Sequence, residues 1–464
     1  MITYDLTKAD GPLYICLYNH IKNDITSGKF KPNYKMPSKR ALANNLGVST
    51  ITVENAYDQL IGEGYVYSIS KKGYYVAEIA DIKKGKNTVE TFPIIKNQIE
   101  KTNLAFDFSS NHTESNDFPF SVWAKLLRET LSTREKELLT LAPCSGVEEL
   151  RTAIAFHLSS FRGLSVSSEQ VVVGAGTEYL YEILIKLLGK KSRYCIESPG
   201  YKKLMRIYND NNIFCDFAGM DDKGIIVSDL RENNAQIAHI SPTHHFPTGI
   251  TMSVSRRYEL LAWANEANNR YIIEDEYDSE FRLDGKPVSP LMSMDTCEKV
   301  IYMNTFSKSL TATIRISYMV LPVHLAERYY KKLGHYSSTV SNFEQYTLAS
   351  FISRGYFEKH INRMRIHYKN KRARVLETIR SIFSEKECQI VENDSGLHFL
   401  LKFNTKKSDK KIKEMLLKKN IRITAITDYD MKLDNKNKHL FILNYSNINL
   451  DNMKKAILEV KKCL

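Results

Sequence analysis

The period of the apolar positions changes along the chain and divides it into three zones. Between residues 12 and 77 the apolar residues recur at helical spacing and then in two short alternating runs, which predicts helices followed by a hairpin. Residues 78 to about 104 lose that periodicity. Their core, DIKKGKNTVETFPIIKNQIEKTN, is rich in Lys, Asn and Thr and predicts a mobile linker. From residue 105 to 464, apolar runs bounded by turn signals (QVVVGAG, RYCIES, AQIAHISP, RYIIEDE, KVIYMNT) alternate with helical segments. That alternation predicts an α/β domain whose mostly parallel sheet is covered by helices on both faces. From about residue 335 the pattern turns to long basic helices and then to short strands around GLHFLLKF and HLFILNY, which predicts a smaller α+β lobe.

A chain of 464 residues exceeds what one hydrophobic core holds, so separate domains are expected. With 43% hydrophobic and 26% charged residues and no low-complexity tract, the composition is that of a folded, soluble protein. The opening MITYDLTKADGPLY holds acids and no continuous apolar stretch, and no window reaches the roughly 18 apolar residues that span a bilayer. Seven cysteines lie scattered without a C-x-x-C, which fits a reducing cytoplasm and points to neither a disulfide framework nor a metal site. The formal charge of +13 is compatible with a polyanionic partner. Total charge decides little, because the lysines between 402 and 419 equally fit the solvated face of an amphipathic helix.

The segment MPSKRALANNLGVSTITVENAYDQLIGEGYVYSISKKGYYV carries a more specific signal. Ser38 caps a short helix that closes at Leu46-Gly47-Val48, and Ser49 caps a second helix whose apolar positions are Val53, Ala56, Tyr57 and Leu60. Two short helices joined by a glycine turn form a helix-turn-helix. The second helix places Ser49, Thr50 and Thr52 where they can bond phosphates or base edges. Gly64 to Tyr67 and Lys72 to Val76 then pair as a wing with Lys71 and Lys72 at its tip. A helical protein-interaction module is the alternative reading. The order Pro37-Ser38-x-Arg40-x-Leu42-Ala43, Leu46-Gly47-Val48-Ser49, Thr52-Val53, Ala56-Tyr57, Leu60 and Glu63-Gly64 resembles the GntR-type winged helix. The resemblance implies that Arg40, Ser49, Thr50, Thr52, Lys72 and Gly73 contact double-stranded DNA. Thr50 stands where that family usually has an arginine able to carry a base preference.

In the third zone four features fall in a consistent order. Gly174-Ala175-Gly176-Thr177-Glu178 follows one strand and opens a helix, a place for an anion. Pro199-Gly200-Tyr201 puts an aromatic ring after another strand, and Asp275 and Tyr277 share a side at the end of a third. A lone lysine follows in Thr305-Phe306-Ser307-Lys308-Ser309, with Arg315 shortly after it. Together they supply an amine for an aldehyde, an acid for a pyridine nitrogen, a plane for a ring and an anion site, the needs of pyridoxal 5'-phosphate. Over essentially residues 105–464 the chain resembles class I (fold type I) aminotransferases. That resemblance implies Lys308 for the aldehyde, Asp275 for the pyridine nitrogen, Tyr277 for the ring hydroxyl and Tyr201 for stacking, with Gly176, Thr177, Thr305 and Arg315 on the phosphate. In the turn Ser241-Pro242-Thr243-His244-His245-Phe246-Pro247-Thr248-Gly249, His-Phe replaces the expected asparagine, and the histidines fit either turn chemistry or a cofactor contact.

The fusion of these modules resembles the MocR subfamily of GntR-type regulators, which implies that the aminotransferase-like domain senses a small-molecule effector and has no catalytic role. It also implies a homodimer with each head packed on the partner's large domain. Amino-acid-responsive members and true aminotransferases hold the ligand carboxylate with an arginine near the carboxyl-terminal strand. Here Phe441 to Ile448 contains none, Lys202 and Lys203 replace arginines after Pro-Gly-Tyr, and Arg422 is the candidate substitute. The expected effector is therefore pyridoxal phosphate itself and the expected output vitamin B6 synthesis or salvage. An amino-acid-responsive regulator and an active aminotransferase are the alternatives.

Overall fold

The computed structural model describes residues 2–6, 11–79, 104–109, 118–283, 288–391, 396–432 and 435–464, so residues 80–103 of the expected linker lie outside the described residues. The chain forms two compact units, Met1–Glu100 and Lys101–Leu464.

In the first unit, helices α1 (Leu13–Thr26), α2 (Lys39–Leu46) and α3 (Thr50–Gly62) accompany a three-stranded antiparallel sheet. Its strand order is Lys35–Met36, Gly73–Val76, Val66–Ile69. The helix ends form where the sequence predicts them. Ser38 Oγ accepts from the Ala41 amide, and Ser49 Oγ accepts from that of Thr52. Gly47 ends α2 in the left-handed region at φ 68°, a conformation that glycine reaches without a Cβ clash. The 3.6-residue period of α3 turns Val53, Ala56, Tyr57 and Leu60 onto Leu17, Ile21 and Leu42, and all seven are buried.

The second unit is built on an eight-stranded sheet. Its order is Val171–Gly174, Ser317–Val320, Val300–Thr305, Tyr271–Glu276, Ile237–Ile240, Tyr194–Ser198, Cys215–Asp221 and Gly224–Ile225. The run from Val300–Thr305 to Cys215–Asp221 is parallel, as expected from apolar runs that alternate with helical segments. Ser317–Val320 runs antiparallel to both neighbours, so it returns from the lysine turn and inserts between that strand and the glycine-turn strand. The parallel strands end together, and the turns after them carry Tyr201, His244, Tyr277 and Lys308 to one edge of the sheet.

A four-stranded antiparallel sheet of Cys388–Val391, His398–Phe403, Leu440–Asn444 and Thr424–Ala425 forms the small lobe. The helix Asn342–Ser353 does not belong to it, although the apolar pattern puts the lobe boundary near residue 335. Tyr346, Leu348 and Phe351 pack in one cluster with Val171, Val173, Tyr302 and Tyr318 of the large sheet. The small-lobe cluster takes its helical members from Met364 onward and adds Phe108 and Phe281 from earlier in the chain. Amphipathic spacing shows which face of a helix is buried, not which sheet buries it. No helix among the described residues is long and apolar enough to cross a membrane.

Candidate cofactor pocket and DNA-reading head

The strand Val300–Thr305 leads directly into the single turn Phe306–Ser309, which lifts Lys308 off the end of the sheet. Burial pushes the Lys308 amine down to about 8, with the Asp278 carboxylate acting against that shift. Thr305, expected on the phosphate, has its hydroxyl buried and committed elsewhere. It accepts from the Ser307 amide at 3.1 Å and from the Ser317 hydroxyl at 2.8 Å, fastening the lysine turn to the antiparallel strand. Ser307 Oγ and Ser309 Oγ, which flank the lysine, are instead buried without a hydrogen-bond partner among the described residues.

Asp275 sits at the centre of a chain of polar groups. Its Oδ2 accepts from the Tyr181 hydroxyl at 2.5 Å and lies 3.4 Å from His239 Nε2, and His239 Nδ1 meets the Tyr208 hydroxyl at 2.6 Å. The other oxygen, Oδ1, is buried with no hydrogen-bond partner among the described residues. A buried, unsatisfied carboxylate oxygen is costly unless a donor fills the site, and a protonated pyridine nitrogen is such a donor. Sequence reasoning misses Tyr181 and His239. Tyr181 lies one turn after Thr177 on the same helix face, and that spacing is the signal that points to it.

Tyr277 and the histidines form a second cluster. The Tyr277 hydroxyl lies 3.1 Å from His244 Nδ1, which is also 2.8 Å from Asp278 Oδ2. The His244 ring stands 4.7 Å from the ring of His398, which projects from the small-lobe sheet, and Gly396 is packed so closely on His244 that a Cβ there would overlap the imidazole. His245 turns to Thr248 and Glu197. Burial pushes His245 down to about 3 and Glu197 up to about 8, and it holds His398 well below its ordinary value. At neutral pH these groups are therefore mostly uncharged.

At the opposite end, Gly176 takes φ 89° before the helix Thr177–Leu188, and a Cβ there would collide with the Arg315 guanidinium. Arg315 itself sits in the left-handed region at φ 48° and pairs with Glu178, which also pairs with Lys203. Glycine amides, a helix N-terminus and a guanidinium thus converge on one spot. Tyr201 is 48% exposed and meets Phe246 edge-on, so it is not stacked face to face on that ring.

The carboxyl-terminal strand Leu440–Asn444, which holds no arginine, ends in a side-chain-to-backbone turn. Asn444 is buried opposite His398, and its Oδ1 accepts from the Ser446 amide and hydroxyl at 2.9 and 2.7 Å. Arg422 is engaged with Asp107 at 3.3 Å.

In the head, Arg40, Thr50, Lys71 and Lys72 are exposed, and Gly73 adopts φ 116° beside the wing tip. Ser49 and Thr52 share a hydroxyl contact of 2.8 Å in addition to the cap, so both are part of the helix start.

Comparison with known proteins agrees with both units. Residues 13–76 match "Bacterial regulatory proteins, gntR family", and residues 102–457 match "Aminotransferase class I and II". The regulator YdeL of Bacillus subtilis is 38% identical over 90% of each chain. The probable rhizopine catabolism regulatory protein MocR of Rhizobium meliloti is 31% identical over 85% of this chain and 82% of its own length. The pyridoxine biosynthesis transcriptional regulator PdxR of Corynebacterium glutamicum is 29% identical over 89% of this chain and 88% of its own. The kynurenine aminotransferase of Pyrococcus horikoshii superposes with a TM-score of 0.67 at 22% identity, covering 77% of this chain and 90% of its own, which shows the fold. A gntR head, an aminotransferase domain and relatives that carry both over most of their length place the chain in the MocR subfamily of GntR-type transcription regulators.

Proposed function

We propose that the aminotransferase-like domain holds pyridoxal phosphate at Lys308 and that its occupancy sets the DNA affinity of the winged helix. The observation that carries this reading is the orphaned Asp275 Oδ1, a buried acceptor near the end of the strand paired with the one that leads into Lys308, whose amine burial pushes down. When bound, the cofactor supplies an electrophilic aldehyde and an electron-withdrawing ring. The chain does the rest. Lys308 offers an amine that is partly neutral near pH 7, and Asp275, oriented by Tyr181 and His239, holds a proton at the ring nitrogen. Tyr277 bonds the ring hydroxyl. Gly176, Thr177, Ser307 and Arg315, the last now paired with Glu178, would hold the phosphate.

The signal in this reading is pyridoxal phosphate itself, and the regulated genes are those of vitamin B6 synthesis or salvage. The carboxyl-terminal strand Leu440–Asn444 and the turn after it hold no arginine, which leaves a ligand carboxylate without a fork to bind there. The PdxR relative, a regulator of pyridoxine biosynthesis, supports the same output. The protein acts as a homodimer in the cytoplasm, with each head against the partner's large domain, and two heads read paired half-sites. Coupling requires the cofactor to bind two arrangements of the molecule with different affinity.

Titration of DNA affinity with and without pyridoxal phosphate tests the signal, and equal affinity in both states overturns it. Borohydride trapping tests the site. The adduct is expected on Lys308 and is lost in Lys308→Ala. A working aminotransferase is the second reading, favoured by the intact set of Lys308, Asp275, Tyr277 and Arg315. Steady keto-acid release from an amino acid would establish it.

A further inference from the structure

We propose that Ile51 and Asn55 make the head a reader of A·T pairs, with Ile51 packed on a thymine methyl and Asn55 bonded to an adenine edge. This rests on the DNA-binding reading above and adds to it the class of base that the recognition helix takes. Helix α3 contains no lysine or arginine, the side chains that pair bidentately with guanine O6 and N7. Its outward face carries Thr50, Ile51 and Asn55, all exposed. Ile51 is 67% exposed, whereas the apolar positions Val53, Ala56, Tyr57 and Leu60 of α3 face the core, so its side chain lies outside the packing of the head. Asn55 lies one helical turn further on, so the two side chains stand about 6 Å apart on one face. Successive base pairs are 3.4 Å apart, so the pair spans neighbouring or next-neighbouring steps.

The chemistry of the two side chains is complementary to one kind of step. An aliphatic group gains by covering the 5-methyl of thymine, and an asparagine amide pairs bidentately with adenine N6 and N7. The acids of α3 do not compete for the DNA, because Glu54 and Asp58 are both held by Lys39, at 2.7 and 3.5 Å. Phosphate contacts come from Arg40 on α2 and from Lys71 and Lys72 on the wing, all exposed, and these position the helix without reading sequence.

The test uses the full chain and a pool of random duplexes. Selected duplexes are expected to share A·T pairs where α3 enters the groove. Replacing one particular thymine by deoxyuridine removes only the methyl and is expected to weaken wild-type binding about fourfold, the effect of losing one buried methylene-sized contact. Ile51→Ala should bind the thymine and uracil duplexes equally. Replacing the partnered adenine by 7-deaza-adenine should weaken the wild type at least about fivefold and leave Asn55→Ala indifferent. Both substitutions are on exposed positions, and an unchanged melting temperature checks the fold. A consensus of G·C pairs under α3, or an Ile51→Ala protein that still distinguishes thymine from uracil, overturns the proposal. Failure to enrich any duplex overturns the DNA-binding reading itself.

Discussion

At the residue scale the candidate pocket shifts how easily individual groups ionise. Lys308 is held near 8 by burial, so its neutral fraction grows about tenfold per pH unit below that value and levels off above it. The rate of covalent capture of pyridoxal phosphate, followed by absorbance, should trace the same curve. Asp278 opposes the shift by stabilising the ammonium form, so Asp278→Asn should move the midpoint to lower pH. Asp275→Asn should weaken the cofactor itself, because an amide cannot hold the ring nitrogen charged, and equilibrium dialysis measures the loss. Thr305 makes a different kind of contribution. Its hydroxyl serves the Ser307 amide and Ser317, so Thr305→Val should cost about 1–3 kcal/mol of stability in urea, whether or not cofactor is present.

At the scale of elements, short turns carry the chemistry and strands aim it. Gly176 occupies a conformation that L side chains rarely adopt and touches Arg315. Gly176→Ala should therefore weaken binding of the phosphorylated vitamer much more than that of unphosphorylated pyridoxal, a contrast that separate binding titrations measure. In the head, Ser49 both caps α3 and bonds Thr52. Ser49→Ala should lower the stability of the head by about 1 kcal/mol, seen as an earlier urea transition, with DNA affinity falling in parallel. Caps, glycine turns and apolar runs are local signals, which is why these elements are legible in the amino-acid sequence. Ser317–Val320 carries no such signal. Four residues after a turn give no sign that they will run antiparallel between two strands far apart in sequence.

At the scale of the whole molecule, the proposed function links a vitamer pocket to a groove reader, and the linked quantity is measurable. Saturating pyridoxal phosphate should change operator affinity for the wild type and leave Lys308→Ala unaffected, while free amino acids should not change operator affinity. The sequence by itself determined the two kinds of module, their order and the lysine, aspartate and glycine turn of the candidate site, because each is written in contiguous residues with a local physical meaning. The tertiary structure alone decided which groups meet from different elements: Tyr181 and His239 on Asp275, His398 and Gly396 on His244, Ser317 on Thr305 and Glu178 on Arg315. It also assigned Asn342–Ser353 to the large sheet. Such contacts join residues tens to hundreds of positions apart, and spacing along a chain carries no information about which buried faces will close on one another.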